Sequence, residues 1–422
     1  MSSITRSAPP EPTETPAAPF RAGQARLAGL DHLRAFAIFF VFLSHYPIFA
    51  KQPVILVLGS HGWSGVDLFF VLSGYLIGSQ LFARHAAGRP MSMVEFYGKR
   101  FLRTLPPYFV VLALYYLWPA FVERGALPPL WKFLTFTQNL SMVLWAQTAF
   151  SHAWSLCVEE HFYLLLPLCC WVLLRPGRGR ASVWVAGGLF AAGAVLRAFL
   201  WLGPVAAAID PANPGSERTV WYRLIYYPTW SRLDGLIVGV LIAALSVYRP
   251  ASLARLLVQA DKLFAAGVIV LLAAGWLCVE QDTFAATVLG FPAFSLGYGL
   301  LVLSALSPNG LLERFDSRIT RFVAASSYSL YLTHKSIIKL TLGALDGHLD
   351  RTGLPAFFAC LFTALLAGAA MHFAIERPAL RLRDKWLRRR RQAGYGGFGG
   401  AIESGQGGAA RLPATGAGSQ SV

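Results

Sequence analysis

The chain has 422 residues, of which 55% are hydrophobic and only 14% are charged. Soluble domains carry about 25% charged residues, so this composition excludes an ordinary water-soluble enzyme. The 37 Lys and Arg against 21 Asp and Glu give a net charge of +16, which is often a sign of nucleic-acid binding. Here the basic residues lie between long apolar runs, so we predict a membrane protein without a nucleic-acid partner.

Residues 1–28 are rich in Pro, Ala, Ser and Thr and lack an apolar core, so they predict a disordered cytoplasmic tail rather than a signal peptide. After this tail, ten segments each provide the roughly 20 mostly apolar residues that a helix needs to cross a bilayer. They are residues 32–50, 63–83, 104–123, 155–174, 181–202, 229–247, 263–280, 284–306, 322–344 and 354–375. Because backbone polar groups in lipid must bond internally, we predict an all-α polytopic bundle of about ten transmembrane helices.

The distribution of Lys and Arg predicts the orientation of this bundle. Most basic residues between the spans lie on the same side as the N-terminus, which marks the cytoplasmic side. With an even number of spans, both termini are then cytoplasmic. The membrane domain covers residues 29–385. Residues 386–422 begin with a basic run, which suits anionic lipid, and continue as a flexible tail rich in Gly, Ala and Ser.

Five cysteines lie in or beside the apolar runs, without the spacing of metal ligands or of a disulfide framework. They are Cys157, Cys169, Cys170, Cys278 and Cys360. We therefore predict that they are small buried hydrophobic side chains, and we predict no metal site.

The first span carries Arg34 near its cytoplasmic end and His45 deep in the membrane. Eleven residues are about three helical turns, so the two side chains share one face and stand roughly 16 Å apart along the axis. One interpretation is that Arg34 holds a phosphate-bearing donor while His45 moves a proton. The alternative is an arginine that snorkels to the interface and a histidine that is hydrogen-bonded in the core.

Other spans also carry polar groups in lipid, where ionisable residues are costly and therefore usually functional. Asp67, near the outer end of the second span, could orient His45 or pair with Arg232. The small residues around it permit close helix packing. On the fourth span, Ser155, Glu159 and Tyr163 follow the i, i+4, i+8 spacing of one helix face. The remaining candidates are Arg232 and Asp234 on the sixth span and His334 with Lys335 on the ninth. Such a set predicts a polar cavity inside the bundle.

Together these segments resemble the acyltransferase 3 family of bacterial membrane acyltransferases. The resemblance rests on motifs in chain order: LDHLRA at 30–35 with His45 following, GVDLFFVLSG at 65–74, FYGKRFLR at 96–103 with PPY at 106–108, WSLCVEEHFY at 154–163, RLDG at 232–235, SYSLYLTH at 327–334 and ERP at 376–378. It covers about residues 28–385. His32, Cys157, His161, Lys335 and Ser336 depart from the residues frequent in the family.

The resemblance implies a ten-helix core in a bacterial inner membrane that transfers an acyl group to a hydroxyl of a sugar. The donor is commonly acetyl-CoA, a co-substrate, and no cofactor is bound permanently. The arginine and histidine that the family requires correspond to Arg34 and His45. Many relatives carry a fused outer esterase-like domain, which this sequence lacks, so it resembles a stand-alone member. The expected partners are acyl-CoA, a carbohydrate or glycolipid acceptor and the lipid bilayer.

These expectations assign a role to each candidate. His45 acts as general base, with Asp67 or Glu159 orienting it and Arg232 or His334 stabilising the oxyanion. Arg34, Arg100 and Arg103 bind the donor, and the acceptor side carries Trp154, Ser155, Tyr163 and Asp234. An acyl-histidine intermediate on His45 is a variant of this mechanism. The alternative function is a secondary transporter or flippase with a buried charged cavity.

Overall fold

The computed structural model describes residues 27–142, 146, 148–174 and 179–403. Within these residues the chain forms fifteen α-helices and no β-strand, so the all-α prediction is confirmed. The first eight are α1 (Ala28–His45), α2 (Pro53–Leu58), α3 (Gly65–Ala86), α4 (Met93–Leu117), α5 (Leu130–Leu134), α6 (Trp154–Leu173), α7 (Gly179–Leu200) and α8 (Ser216–Trp221). The others are α9 (Asp234–Tyr248), α10 (Pro250–Leu257), α11 (Ala260–Leu277), α12 (Phe291–Ser304), α13 (Arg318–Ala344), α14 (Leu354–Met371) and α15 (Arg377–Glu403).

Each predicted membrane segment overlaps one helix, in chain order α1, α3, α4, α6, α7, α9, α11, α12, α13 and α14, although α4 (Met93–Leu117) begins and ends well before the predicted segment 104–123. In the described part of the chain, six helices are long and apolar enough to cross a membrane, or seven if α9 and α10, which meet at 109°, form one span. Helices α1, α4 and α13 are not among them, because charged and polar side chains interrupt their apolar sequence. The chain is a multi-pass membrane protein. The count of ten spans and the cytoplasmic termini stay predictions.

Large apolar side chains point outward from several of the long helices. Trp184 on α7 is 80% exposed, Trp276 on α11 is 81% exposed and Phe362 on α14 is 62% exposed. In water such a surface would be an aggregation hazard, whereas lipid tails solvate it at no cost. These helices therefore form the lipid-facing part of the bundle.

The centre of the bundle depends on small residues. A Cβ added to Gly74 of α3 would lie 2.2 Å from the carbonyl oxygen of Leu236, and one added to Gly239 of α9 would lie 2.2 Å from that of Val71. Only glycine permits this approach, so α3 and α9 pack backbone to backbone. The close packing predicted around Asp67 is thus confirmed at Gly74.

Helix α1 occupies the interior and positions the two residues singled out in the sequence. It contacts α3, α12 and α13, and its residues Ala37, Ile38 and Val41 are fully buried. Arg34 lies near its N-terminal end, and His45 is its last residue. Both side chains are only partly exposed, so they face protein-lined space rather than lipid.

The predicted tails lie mostly outside the described residues, because residues 1–26 and 404–422 are not among them. Helix α15 continues to Glu403, inside the segment for which we predict a tail. Near its start it packs on α4, where a Cβ on Gly98 would lie 2.6 Å from the Trp386 ring. All five cysteines are free thiols; four are buried, as predicted, whereas Cys169 is exposed.

Candidate active site

A cavity of about 480 Å³ lies where the end of α1 meets the connections that follow α1, α4 and α8. We call it the outer cavity, because its walls come largely from connections predicted on the outer side of the membrane. Three side chains that line it can carry or transfer a proton. They are His45, His152 in the 3-10 turn Ser151–Ala153, and Lys335 on α13.

His45 and His334 form a hydrogen-bonded pair, with 2.8 Å between Nδ1 of His45 and Nε2 of His334. Nδ1 of His334 lies 2.8 Å from the carbonyl oxygen of Tyr331 and 3.2 Å from that of Leu330. Because carbonyl oxygens only accept, this Nδ1 carries a proton, and Nε2 of the neutral ring is an acceptor. Nδ1 of His45 therefore donates to His334, which leaves the lone pair of neutral His45 on Nε2.

Lys335 ties α13 to the turn that carries His152. Its ammonium group donates to Ser151 Oγ at 2.8 Å and lies 3.1 Å from Glu123 Oε1. The same carboxylate oxygen accepts the backbone N–H of Phe150 at 3.1 Å. Phe150 has a φ of 55°, a left-handed conformation that is uncommon for an aromatic residue. Glu123 thus holds a strained turn against α13, and this contact positions His152.

A second cavity, of about 130 Å³, lies deeper between α1, α3, α4, α6 and α13. We call it the basic cavity, because Arg34 on α1 and Arg100 and Arg103 on α4 line it. A neighbouring cavity of about 330 Å³ is also lined by Arg34 and Arg103. Arg34 lies 3.7 Å from Asp31 and Arg103 lies 3.8 Å from Glu376, and the three guanidinium groups together offer several N–H donors to an anionic ligand.

One face of α6 also lines the basic cavity. It carries Ser155, Glu159 and Tyr163, the residues that the helical spacing places together. The Tyr163 hydroxyl is hydrogen-bonded to that of Ser73, and the Arg100 guanidinium carbon lies 5.8 Å from the centroid of the Tyr163 ring. The cavity therefore combines three cations with one carboxylate and several hydroxyl groups.

A hydrogen-bonded layer separates the two cavities. The Tyr331 hydroxyl donates to the carbonyl oxygen of His152 at 2.7 Å and lies 2.6 Å from Ser155 Oγ, which donates to it. Tyr331 and Ser155 line the basic cavity, whereas His152 lines the outer one. These three residues therefore form a layer between the two cavities.

Two buried ion pairs hold the helices behind the cavities. Arg232 Nη2 donates to both carboxylate oxygens of Asp67, at 2.9 and 3.1 Å. Arg197 makes a two-pronged pair with Asp234, at 2.7 and 3.0 Å, and also donates to the Ser231 carbonyl oxygen at 2.8 Å. None of the four charged side chains lines either cavity. Their arrangement supports helix packing rather than direct contact with a substrate.

Comparison with known proteins bears directly on this arrangement. A family profile described as Acyltransferase domain matches residues 27–373, which includes both cavities. The chain belongs to this acyltransferase family. The predicted resemblance to the acyltransferase 3 family is thereby confirmed, and the chain is a member of an enzyme family.

Relatives within the acyltransferase family are distant in sequence. The O-acetyltransferase OatA of Staphylococcus aureus is 27% identical over 375 residues, which are 83% of this chain and 57% of that protein. The peptidoglycan O-acetyltransferase OatA of Listeria monocytogenes is 26% identical over 342 residues, 75% of this chain and 50% of that protein. The chain thus spans about half the length of the curated relatives it matches. No solved structure gives a significant match.

The structure distributes the predicted site residues differently from the sequence-based assignment. Trp154 lines the outer cavity with His45, and its acceptor-side role stays a prediction. Ser155 and Tyr163, also predicted on the acceptor side, instead line the basic cavity with Arg34, Arg100 and Arg103. Asp234 lines neither cavity, because it is enclosed in its pair with Arg197.

Two further roles are corrected. The hydrogen-bond partner that orients His45 is His334, not Asp67 or Glu159. Both oxygens of Asp67 accept from Arg232, and Glu159 lies in the other cavity. Both ring nitrogens of His334 are engaged in these hydrogen bonds, so neither is available to an oxyanion. Arg232, fully buried behind the cavity wall, is likewise not placed to meet an oxyanion.

Sequence reasoning missed three residues that matter here. His152 sits two positions before Trp154, just outside the motif, and extending that motif by one turn would have included it. Glu123 is the last residue of the third predicted span, and nothing in its neighbourhood distinguishes it. Arg197 is an arginine inside an apolar span, a pattern that calls for a buried carboxylate partner.

Proposed function

We propose that this chain is a membrane O-acyltransferase that moves an acyl group, preferably acetyl, from acyl-CoA to a hydroxyl of a carbohydrate or glycolipid. The observation that carries the proposal is the His45–His334 pair, which leaves Nε2 of His45 as a base in the outer cavity. A basic cavity near the other end of the same helix supplies a separate site for an anionic donor. A transporter would not need a histidine with a fixed tautomer.

The donor binds through its phosphates. CoA carries several phosphate oxygens, and the guanidinium groups of Arg34, Arg100 and Arg103 match them in charge and geometry. If the bundle follows the distribution of Lys and Arg, this cavity opens toward the cytoplasm, where acyl-CoA is available. The acyl end then extends toward the layer formed by Tyr331 and Ser155.

The reaction takes place at His45. Nε2 removes the proton of the acceptor hydroxyl as its oxygen attacks the thioester carbonyl carbon. The C–S bond then breaks, and the CoA thiolate takes the proton back from the imidazolium. His334 holds the ring and accepts its Nδ1–H throughout. The ammonium group of Lys335, which lines the same cavity, supplies positive charge for the developing oxyanion.

The acceptor enters from the opposite side of the membrane. The outer cavity is built from outer connections, which favours a substrate that cannot reach the cytoplasm. The Listeria relative is named a peptidoglycan O-acetyltransferase, which supports a cell-wall or other surface glycan as acceptor. We place the protein in the bacterial inner membrane, where donor and acceptor meet across one bundle.

The proposal is tested with the purified full chain in detergent or vesicles. Labelled acetyl-CoA and a soluble oligosaccharide of N-acetylhexosamine units are incubated together, and mass spectrometry measures O-acetyl ester on the glycan. We expect ester formation with stoichiometric release of CoA thiol. If labelled acetyl-CoA remains intact while the glycan or donor moves across the vesicle membrane, the chain is a transporter and the proposal is wrong.

A further inference from the structure

One side of the outer cavity consists of aromatic rings. Trp63, Trp154, Tyr222, Tyr226 and Tyr227 all line it together with His45. Their rings are in mutual contact, with centroid distances of 5.2 Å between Trp154 and Tyr226, 5.5 Å between Tyr222 and Tyr227, and 6.4 Å between Trp63 and Tyr226. We call these five residues the aromatic wall.

Several polar atoms of the aromatic wall have no protein partner. Tyr227 is only 7% exposed, yet its hydroxyl makes no hydrogen bond to any residue that the structure describes. The same holds for the Tyr222 hydroxyl, and the indole Nε1 of Trp63 is buried without a partner. His152, on the opposite side of the cavity, has an unpartnered Nδ1 as well. Buried polar groups are normally paired, so the Trp63 and His152 nitrogens point to a polar ligand in this cavity, and the hydroxyls of Tyr222 and Tyr227, which line it, can bond the same ligand.

Tyrosines elsewhere in the core behave differently. The hydroxyls of Tyr108, Tyr115, Tyr298 and Tyr331 are all hydrogen-bonded, to Phe133 O, Ser336 Oγ, Ser64 Oγ and His152 O respectively. In the described core, Ser295 Oγ and Ser304 Oγ on α12 are also buried without a partner, but neither residue lines the cavity that contains His45.

Arg232 packs against two rings of the aromatic wall. The Arg232 guanidinium carbon lies 4.8 Å from the centroid of the Tyr226 ring and 5.0 Å from that of Trp154. Arg232 is itself fixed by its ion pair with Asp67. Cation–π contact at this distance is favourable for a desolvated arginine. The rings are thus held in place before any ligand arrives, which reduces the entropy lost on binding.

We infer that the aromatic wall is the acceptor subsite and holds a pyranose ring of a glycan, with one sugar hydroxyl directed at Nε2 of His45. The inference rests on the proposed O-acyltransferase function. A pyranose has apolar C–H faces and a rim of hydroxyls, so aromatic rings cover its face while Tyr222, Tyr227 and Trp63 bond its rim. A cavity of about 480 Å³ lies within the roughly 300–1,000 Å³ range of small-ligand sites.

The test uses variants that remove one hydroxyl without changing shape, Tyr222→Phe and Tyr227→Phe, and Tyr222→Leu, which removes the ring. The glycan is a soluble oligosaccharide of N-acetylhexosamine units. We expect the acceptor KM to rise about three- to tenfold in each Phe variant and by about tenfold or more in Tyr222→Leu. The acetyl-CoA KM and acceptor-independent thioester hydrolysis should not change. Tyr248→Phe, which removes a hydroxyl outside both cavities, is the control and should leave the acceptor KM unchanged.

A binding measurement separates this inference from the proposed function. Saturation-transfer NMR on the same oligosaccharide detects contact with aromatic protons whether or not any acyl group is transferred. Saturation that reaches the sugar ring protons in the wild type and falls in Tyr222→Leu supports the subsite, even if no transfer occurs. An unchanged acceptor KM in all three variants, or an absence of saturation transfer in the wild type, overturns the inference while leaving an O-acyltransferase with another acceptor site intact.

Discussion

The outer and basic cavities share helix α1 but differ in how they use polar side chains. In the outer cavity, hydrogen bonds determine which ring nitrogen of each histidine carries the proton. The Tyr331 carbonyl oxygen fixes the tautomer of His334, and His334 in turn fixes the tautomer of His45. In the basic cavity, three arginines supply charge, and no comparable chain of bonds sets a single reactive atom. In the proposed function, one end of the helix serves proton transfer and the other serves anion recognition.

The difference explains why Arg34 and His45 share a face without touching. Helix α1 separates them by eleven residues, and the layer of Tyr331, Ser155 and His152 lies between their cavities. A donor that is long enough can place its phosphates at one end and its reactive carbon near the other. Mutations at the two ends should therefore affect different kinetic constants, which makes the comparison testable.

Loss of His45 should have the largest effect. His45→Ala removes the only base that the described outer cavity orients by a hydrogen-bonded pair, and general-base catalysis contributes roughly 10²–10⁴-fold. We expect kcat for glycan acetylation to fall by about that factor, with the acetyl-CoA KM nearly unchanged. His85→Ala, an exposed histidine outside both cavities, is the matched control. Wild-type turnover in His45→Ala would end the assignment of the base.

Removal of His334 should have the next largest effect. His334→Ala leaves Nδ1 of His45 without its acceptor and frees the ring to adopt the other tautomer, so kcat should fall about 100-fold. In His334→Gln an amide oxygen can accept the same hydrogen bond, and part of the activity should return. If the Gln variant is as inactive as the Ala variant although both fold, the role of His334 is not to orient His45.

Changes in the basic cavity should act on donor affinity instead. Arg34→Ala should raise the acetyl-CoA KM by roughly 10- to 100-fold, because charge-assisted hydrogen bonds are worth about 1.5–3 kcal/mol. Arg34→Lys keeps the charge but loses the planar fork, so its KM should lie in between. The control is Arg89→Ala, which removes an exposed charge from a loop. A variant with normal donor KM and reduced kcat would contradict the phosphate role.

Mutation of the layer between the two cavities should have the smallest effect on the reaction. Tyr331→Phe removes the hydroxyl that joins Ser155 to the His152 carbonyl, which costs about 1 kcal/mol of hydrogen bonding. Acetyl-CoA hydrolysis without acceptor should rise severalfold relative to transfer, since water reaches the thioester more easily. Tyr328→Phe removes a hydroxyl from the same cavity outside this layer and should leave the ratio unchanged. An equal ratio in both variants would mean that Tyr331 does not separate the cavities.

Individual residues show which features of the site the sequence predicts and which it does not. Arg34 and His45 could be placed on one helix face from their spacing alone, because helix geometry is local. The same holds for Ser155, Glu159 and Tyr163 on α6. Their partners could not be derived in this way. Asp67 had two candidate partners in the sequence, His45 and Arg232, and the structure gives Arg232.

The sequence by itself determined that this protein crosses a membrane, that its structure is helical and that several ionisable groups are buried in it. These properties follow from hydropathy, from backbone hydrogen bonding in lipid and from helical periodicity, all of which act over a few turns. Only the tertiary structure decided that His45 meets His334, 289 positions away, that a loop supplies His152, and that the polar groups divide into two cavities. Contacts of this kind depend on how the helices pack around one another, and no local sequence pattern predicts that packing.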